Sequence, residues 1–149
     1  MFFRKTVFLG LVLLLSWPTL AQTEEVYLVF DPERDSKSKA LPDQCTEEGL
    51  AFRLKYKEDD SRTETFYFKD NAPVDTLSFE RFQQLKPTTL LKARKWEIEI
   101  RREWIEEDTD KPSMRLPLTI NEVYKAVYIL VPMAEGYLSY KVRWHDPIE

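Results

Sequence analysis

The sequence has very few of the residue types that most catalytic and metal sites require. Its 149 residues include one cysteine, one histidine and three glycines. A single cysteine excludes an intramolecular disulfide and a CxxC site, and a single histidine excludes an HExxH zinc site. Only Gly49 and Gly136 lie beyond residue 21, which excludes glycine-rich phosphate loops, the dinucleotide fingerprint and a GxSxG nucleophile elbow. Packing, rather than covalent cross-links, must therefore stabilise the fold.

The lone cysteine and histidine are weak candidates for chemistry. We interpret Cys45 as an incidental thiol in or near a loop, the alternative being an intermolecular disulfide or a reactive thiol. His145 lies near the C-terminus, and its spacing from Cys45 or from any serine supports neither a Cys–His pair nor a triad. We predict no catalytic residue, no cofactor and no metal site, and the ligand-binding residues stay unknown.

Long apolar runs are absent except at the N-terminus. Arg4 and Lys5 precede an apolar run over residues 6–17, Pro18 interrupts it, and Ala21 provides a small residue before position 22. This is the layout of a cleaved secretory signal peptide. We predict that residues 1–21 are removed, and that residues 22–149 form one β-rich domain in the periplasm or outside the cell.

An uncleaved membrane anchor is the alternative interpretation of residues 1–21. A spanning helix needs about 20 apolar residues, which is longer than this run, and no second apolar stretch follows. A lipoprotein would need cysteine at position 22, where Gln22 stands. We therefore expect no membrane span after the signal is removed.

Basic residues are outnumbered by acidic residues. Loss of Arg4 and Lys5 with the signal would leave 20 basic and 26 acidic residues, a net charge of −6. Nucleic-acid binding depends mostly on neutralisation of phosphates by Lys and Arg, so this balance argues against it. It argues equally against attraction to an anionic membrane surface.

The patterning predicts a mostly β (α+β) fold, a single compact domain of about six to seven mainly antiparallel strands with one short helix. Val-, Tyr- and Phe-rich or alternating segments predict strands over residues 24–30, 50–56, 63–69, 126–131 and 137–144. Short turns between neighbouring segments predict two hairpins, 50–69 and 126–144. Phe79, Phe82 and Leu85 recur every three residues, which predicts the helix over about residues 76–85, with Ser78 or Asp75 as its cap.

The stretch 95–105 fits two periodicities. As a strand it places Trp96, Ile98 and Ile100 on one face. A helix beginning near residue 89 would place Arg94, Glu97 and Arg101 inside its apolar arc. We prefer the strand for that reason, with the helix as the alternative.

Residues 31–48 are polar, contain two prolines and show no periodicity, so they predict a long surface loop. Asp31, Glu33 and Asp35 alternate as in a calcium loop, but the sixth position lacks glycine and the twelfth is Pro42. We interpret the stretch as a solvated loop that either binds a partner or is loosely ordered.

Aromatic residues are plentiful, and Trp96, Trp104 and Trp144 could form a binding platform. Each lies on the apolar face of its own segment, so we interpret them as core residues. The sequence predicts an exported, non-catalytic domain that binds an unknown protein or extracellular ligand or associates with the cell envelope. The alternatives are a carboxylate-dependent hydrolase and an inhibitor of a secreted enzyme that inserts its 31–48 loop.

Overall fold

A computed structural model describes residues 24–39, 49–69, 71–106 and 118–146. These residues form seven strands and three helices in one α+β domain, which confirms the predicted fold class. The elements are β1 (Glu25–Val29), β2 (Ser36–Lys39), β3 (Gly49–Lys55), β4 (Thr63–Lys69), β5 (Asp75–Leu77), α1 (Phe79–Gln84), α2 (Leu90–Glu106), α3 (Ile120–Val123), β6 (Ala126–Met133) and β7 (Gly136–Trp144).

The strands form one mixed sheet in the order β1-β6-β7-β4-β3-β2, with β5 also paired to β7. The β3–β4 and β6–β7 pairs are antiparallel neighbours in the chain, so both predicted hairpins are confirmed. Strand β1 runs parallel to β6, from Glu25 opposite Ala126 to Val29 opposite Leu130. The sheet therefore has β1 at one edge and β2 at the other.

The sheet curls around its core because these two edge strands are joined by only a short connection, residues 30–35. The Phe30 ring lies 5.9 Å from the Phe52 ring, which lies 5.1 Å from that of Tyr140. Alternate strand residues point inward, as the two-residue period requires. The inner face includes the fully buried Phe66 and Trp144.

The preferred interpretation of residues 95–105 as a strand is wrong, because these residues lie within helix α2. The helix begins after Thr89, whose hydroxyl accepts the Lys92 backbone N–H at 3.3 Å. Its buried positions are Leu90, Ala93 and Glu97. The charged residues that argued against a helix do lie on its inner side. There Glu97 pairs with Arg94 and Arg101, and these arginines also pair with Glu64 and Asp146 from distant elements. Helix α2 thus closes the core from the concave side of the sheet.

Smaller corrections concern the predicted loop and the short helix. Residues 36–39 of the predicted 31–48 loop form β2, and residues 40–48, including Cys45, lie outside the described residues. The predicted helix over 76–85 is shorter: α1 follows β5 and is capped by Ser78, whose hydroxyl accepts the Arg81 N–H at 3.2 Å.

The three tryptophans differ in burial. Trp144 is fully buried, which confirms its placement in the core, and Trp96 of α2 is half-buried and packs against the core. Trp104 is half-buried near the end of α2. Within the described ranges, no helix has the length and apolar character needed to cross a membrane.

Candidate binding site

Five charged side chains form a continuous cluster between α2 and the sheet. Arg94 Nε lies 3.7 Å from Glu64 Oε1, and Arg94 Nη1 lies 3.5 Å from Glu97 Oε1. Arg101 Nε lies 3.3 Å from the same Glu97 oxygen, and its Nη2 pairs with Asp146 Oδ2. The cluster therefore alternates carboxylate and guanidinium from one end to the other.

The outer carboxylates of this cluster are held by hydrogen bonds from elsewhere in the fold. Glu64 accepts the Tyr56 hydroxyl at 2.7 Å and the Trp144 indole N–H at 3.1 Å. Burial raises the pKa of Tyr56, and the bond to Glu64 raises it further, so this hydroxyl stays a donor. Asp146 accepts the backbone N–H of Ile120, the first residue of α3, at 2.9 Å. The cluster thereby connects α2 and α3 to β4 and to the end of β7.

Glu97 is the least satisfied member of the cluster. The residue is 1% exposed, and its Oε2 has no hydrogen-bond donor among the described residues. Burial raises the pKa of Glu97, although Arg94 and Arg101 act in the opposite direction. A carboxyl with a raised pKa is the type of group that general acid catalysis uses. A catalytic acid must reach a substrate, however, and none of the five cluster residues lines the two clefts described next.

The first cleft, of about 230 Å³, lies between the C-terminal end of β1, the end of β3 and the start of α2. Asp35 accepts the backbone N–H groups of Asp31 at 2.7 Å and Lys55 at 2.9 Å. Arg34 donates to Tyr56 O at 2.9 Å and to Asp60 at 2.6 Å. The three acids considered for calcium, Asp31, Glu33 and Asp35, thus lie in a backbone-bonded turn, in which Asp31 accepts the Glu33 N–H at 3.0 Å. The described residues include no group of three or more metal-binding side chains.

The second cleft, which we name the edge cleft, lies between the outer edge of β1 and α2 and has a volume of about 300 Å³. Its walls are residues 24–27 on the strand side, Lys92, Ala93 and Trp96 on the helix side, and Lys86 and Thr88 from the segment before α2. Ala93 is 1% exposed and Trp96 is half-buried, which gives the cleft an apolar base.

Backbone polar groups of β1 face the edge cleft. Phe30 N–H donates to Leu130 O at 2.9 Å, and Glu24 O accepts the Lys125 N–H at 3.1 Å, so the even-numbered residues bond toward β6. In a parallel ladder the alternate residues direct their N–H and C=O groups to the opposite edge. The C=O of Glu25 and the N–H of Tyr27 therefore point away from β6 and into the cleft.

This outer edge of β1 is almost unpaired. Across the described ranges it forms one bridge, between Leu28 and Thr88, in which Thr88 N–H donates to Tyr27 O at 2.9 Å. The bridge occupies the C-terminal half of the edge, and in the half beside the edge cleft no described backbone group bonds the Glu25 C=O or the Tyr27 N–H. An open strand edge with a side-chain cleft along it has the geometry needed to receive another extended chain.

The lone histidine and the three tryptophans considered from the sequence do not meet in either cleft. The exposed His145 donates its backbone N–H to Thr65 O at 2.8 Å, and its ring contacts Tyr67 edge-on at 5.6 Å. Of the three tryptophans, only Trp96 borders a cleft. No pattern in the sequence indicated the edge cleft, because it depends on parallel pairing between segments about a hundred residues apart.

Comparison with protein-family models, with curated proteins and with solved structures gives no match for this chain.

Proposed function

We propose that this protein is an exported, non-catalytic binding domain that receives an extended segment of a partner protein in the edge cleft. The segment would pair as an added strand with β1. The observation that carries the proposal is the open outer edge of β1, where the C=O of Glu25 and the N–H of Tyr27 face a cleft of about 300 Å³.

Strand addition would use the backbone polar groups of β1 that face the cleft. Glu25 O and Tyr27 N–H flank one residue, Val26, and this is the acceptor–donor pair that a single residue of a parallel neighbouring strand satisfies. Main-chain hydrogen bonds of this kind supply affinity with little dependence on sequence, while adjacent pockets select side chains. Ala93 and Trp96 provide such a pocket beside the pair.

The buried cluster favours binding over carboxylate catalysis. Its carboxylates are occupied by Arg94 and Arg101, by the Tyr56 hydroxyl and by the Ile120 N–H, and they lie outside both clefts. Ion pairs and hydrogen bonds of this kind position elements of the fold. The cluster thus acts through α2, holding the helix that forms one wall of the edge cleft.

Export is the part of the proposal supported by residues 1–21. Removal of the signal would leave Gln22 as the first residue, two positions before the edge cleft begins at Glu24. Mass spectrometry of the protein recovered from outside the cytoplasm should show a chain that starts at Gln22. Recovery of the intact chain with Met1 would contradict cleavage.

Peptide selection tests the binding proposal. The exported protein is used to select from a phage-displayed library of random peptides, and the enriched peptides are then tested against the protein with a photo-crosslinker at Glu24, in the cleft. The control carries the crosslinker at Glu99, an exposed residue of α2 outside the cleft. Enrichment with crosslinking at Glu24 but not at Glu99 supports the proposal. Absence of enrichment, or equal crosslinking at both positions, overturns it.

A further inference from the structure

Two lysines line the edge cleft without a carboxylate partner. Lys86 precedes α2 and Lys92 lies in its first turn, and neither forms an ion pair with any described residue. The arginines of the described interior have partners, since Arg94 and Arg101 contact Glu97. Lys86 and Lys92 therefore give the edge cleft two ammonium groups that no carboxylate of the described residues neutralises.

The acidic residues of the same cleft are placed differently. Glu25 accepts the Tyr27 hydroxyl at 2.7 Å. Both side chains lie on the face of β1 that points away from the core, whereas Val26 points into the core. Glu24 lies at the N-terminal end of the strand side. The helix wall of the cleft therefore presents positive charge, and this is the wall that inward-pointing side chains of an added strand would meet.

The helix wall also has a spacing that matches a strand. Lys92 and Trp96 are four residues apart on α2, about 6 Å along the helix axis at 1.5 Å per residue. Alternate residues of an extended chain are about 6.6 Å apart and point to the same side. Two side chains at positions i and i+2 of the bound segment can thus contact Lys92 and Trp96 at the same time.

From these observations we infer that the edge cleft selects an extended segment in which a carboxylate and an apolar side chain are two residues apart. The carboxylate contacts Lys86 and Lys92, and the apolar side chain packs on Trp96 and Ala93. Ammonium–carboxylate pairs fix register and orientation more than they add affinity. The inference rests on the proposed function, because it specifies what the added strand carries.

The order of the acidic and the apolar residue along the bound segment follows from the direction of α2. Thr88, just before the helix, bridges to Leu28 near the C-terminal end of β1. Trp96, further along the helix, contacts Tyr124. The neighbouring Lys125 bonds Glu24 at the N-terminal end of β1. Helix α2 therefore runs opposite to β1. A segment parallel to β1 would carry the apolar residue before the acidic one, and an antiparallel segment would carry the reverse order. The carboxylate can belong to an Asp or Glu side chain or to the C-terminus of a chain.

Charge reversal tests the inference with the peptides enriched by selection. Lys86→Glu and Lys92→Glu should each weaken binding of these peptides about tenfold. Lys95→Glu makes the same change at an exposed position of α2 outside the cleft, and it should leave binding unchanged. A Lys in place of the peptide's acidic residue should restore binding to Lys92→Glu. Matching far-ultraviolet circular dichroism and thermal melts establish that the variants are folded.

Peptide variants identify the source of the carboxylate. If the carboxylate belongs to a side chain, replacing the peptide's Asp by Asn or its Glu by Gln makes peptide binding insensitive to Lys92→Glu. Amidation of the peptide's C-terminus does not have this effect. If it is a chain terminus, amidation alone abolishes that sensitivity. Peptides that crosslink at Glu24 but bind Lys92→Glu as well as wild type would overturn this inference and leave the proposed function intact. Failure to enrich any peptide would overturn both.

Discussion

Glu97 lies on the buried side of α2 with one carboxylate oxygen near two guanidinium groups and the other without a donor. The pKa of this carboxyl is raised because burial destabilises the charged form more than Arg94 and Arg101 stabilise it. The folded protein therefore holds a proton on Glu97 more tightly than the unfolded chain does. The stability that this difference contributes is present at low pH and is lost as the pH rises through the folded-state pKa.

Replacement of Glu97 by Gln tests this account, because Gln imitates the protonated carboxyl. We expect Glu97→Gln to gain free energy of unfolding relative to wild type as the pH rises above the ordinary glutamate pKa of 4.5 and through the raised folded-state pKa. Urea denaturation at several pH values measures the difference, in which the titration of other groups largely cancels. A variant that loses stability relative to wild type as the pH rises would show that the ionised carboxylate stabilises the fold.

Asp146 provides the opposite case, a buried carboxylate with good partners. It is 3% exposed, pairs with Arg101 and accepts the Ile120 N–H. Asp146→Ala would therefore leave the helix N–H without its acceptor and the largely buried Arg101 guanidinium with Glu97 as its remaining carboxylate partner. We expect a loss of about 3–5 kcal/mol in the free energy of unfolding.

The matched control is Asp60→Ala, which removes the surface pair with Arg34. The Asp60 side chain is 78% exposed, and we expect a loss below about 1 kcal/mol. Similar losses for Asp60→Ala and Asp146→Ala in urea denaturation would refute the structural role of the buried cluster.

At the scale of elements, the two hairpins were predictable and α2 was not. Alternation and short turns are local signals, and they placed β3–β4 and β6–β7 correctly. Helix α2 places Arg94, Glu97 and Arg101 on its inner side, where the two arginines pair with Glu97. The arginines also pair with Glu64 of β4 and Asp146 after β7, and Asp146 is 45 residues from Arg101. A periodicity argument treats such residues as exposed and therefore rejects the helix.

Strand β2 and the edge cleft escaped prediction for related reasons. Residues 36–39 (SKSK) lack apolar alternation, and they become a strand through pairing with β3. The open edge of β1 exists because β6, far away in sequence, pairs with the other edge. Neither feature has a signal within its own segment.

The β6–β7 turn offers a prediction about a contact between elements. Gly136 has φ of +147°, and a Cβ at this position would lie 2.0 Å from Leu77 O of β5. Gly136→Ala should therefore separate β5 from β7 and lower the free energy of unfolding by at least about 1–3 kcal/mol. Glu135→Ala in the same turn should change it by less than about 0.5 kcal/mol. Equal stability of the two variants would contradict the close approach.

At the scale of the whole molecule, the curled sheet and α2 together produce one strand edge that is open beside a cleft. The curl brings the two sheet edges near each other, and the buried cluster holds α2 over the concave face. As a result α2 lies along β1 without covering its outer backbone groups. This arrangement is the physical basis of the proposed strand addition at β1.

Amide hydrogen exchange at Tyr27, followed by NMR, tests the central claim most directly. The N–H of Leu28, which bonds toward β6 in the parallel ladder, is the internal reference. Tyr27 should exchange faster than Leu28 in the free protein and should slow to a similar rate when an enriched peptide binds. A Tyr27 amide that is already protected in the free protein, or that keeps its rate while the peptide binds, would contradict strand addition at β1.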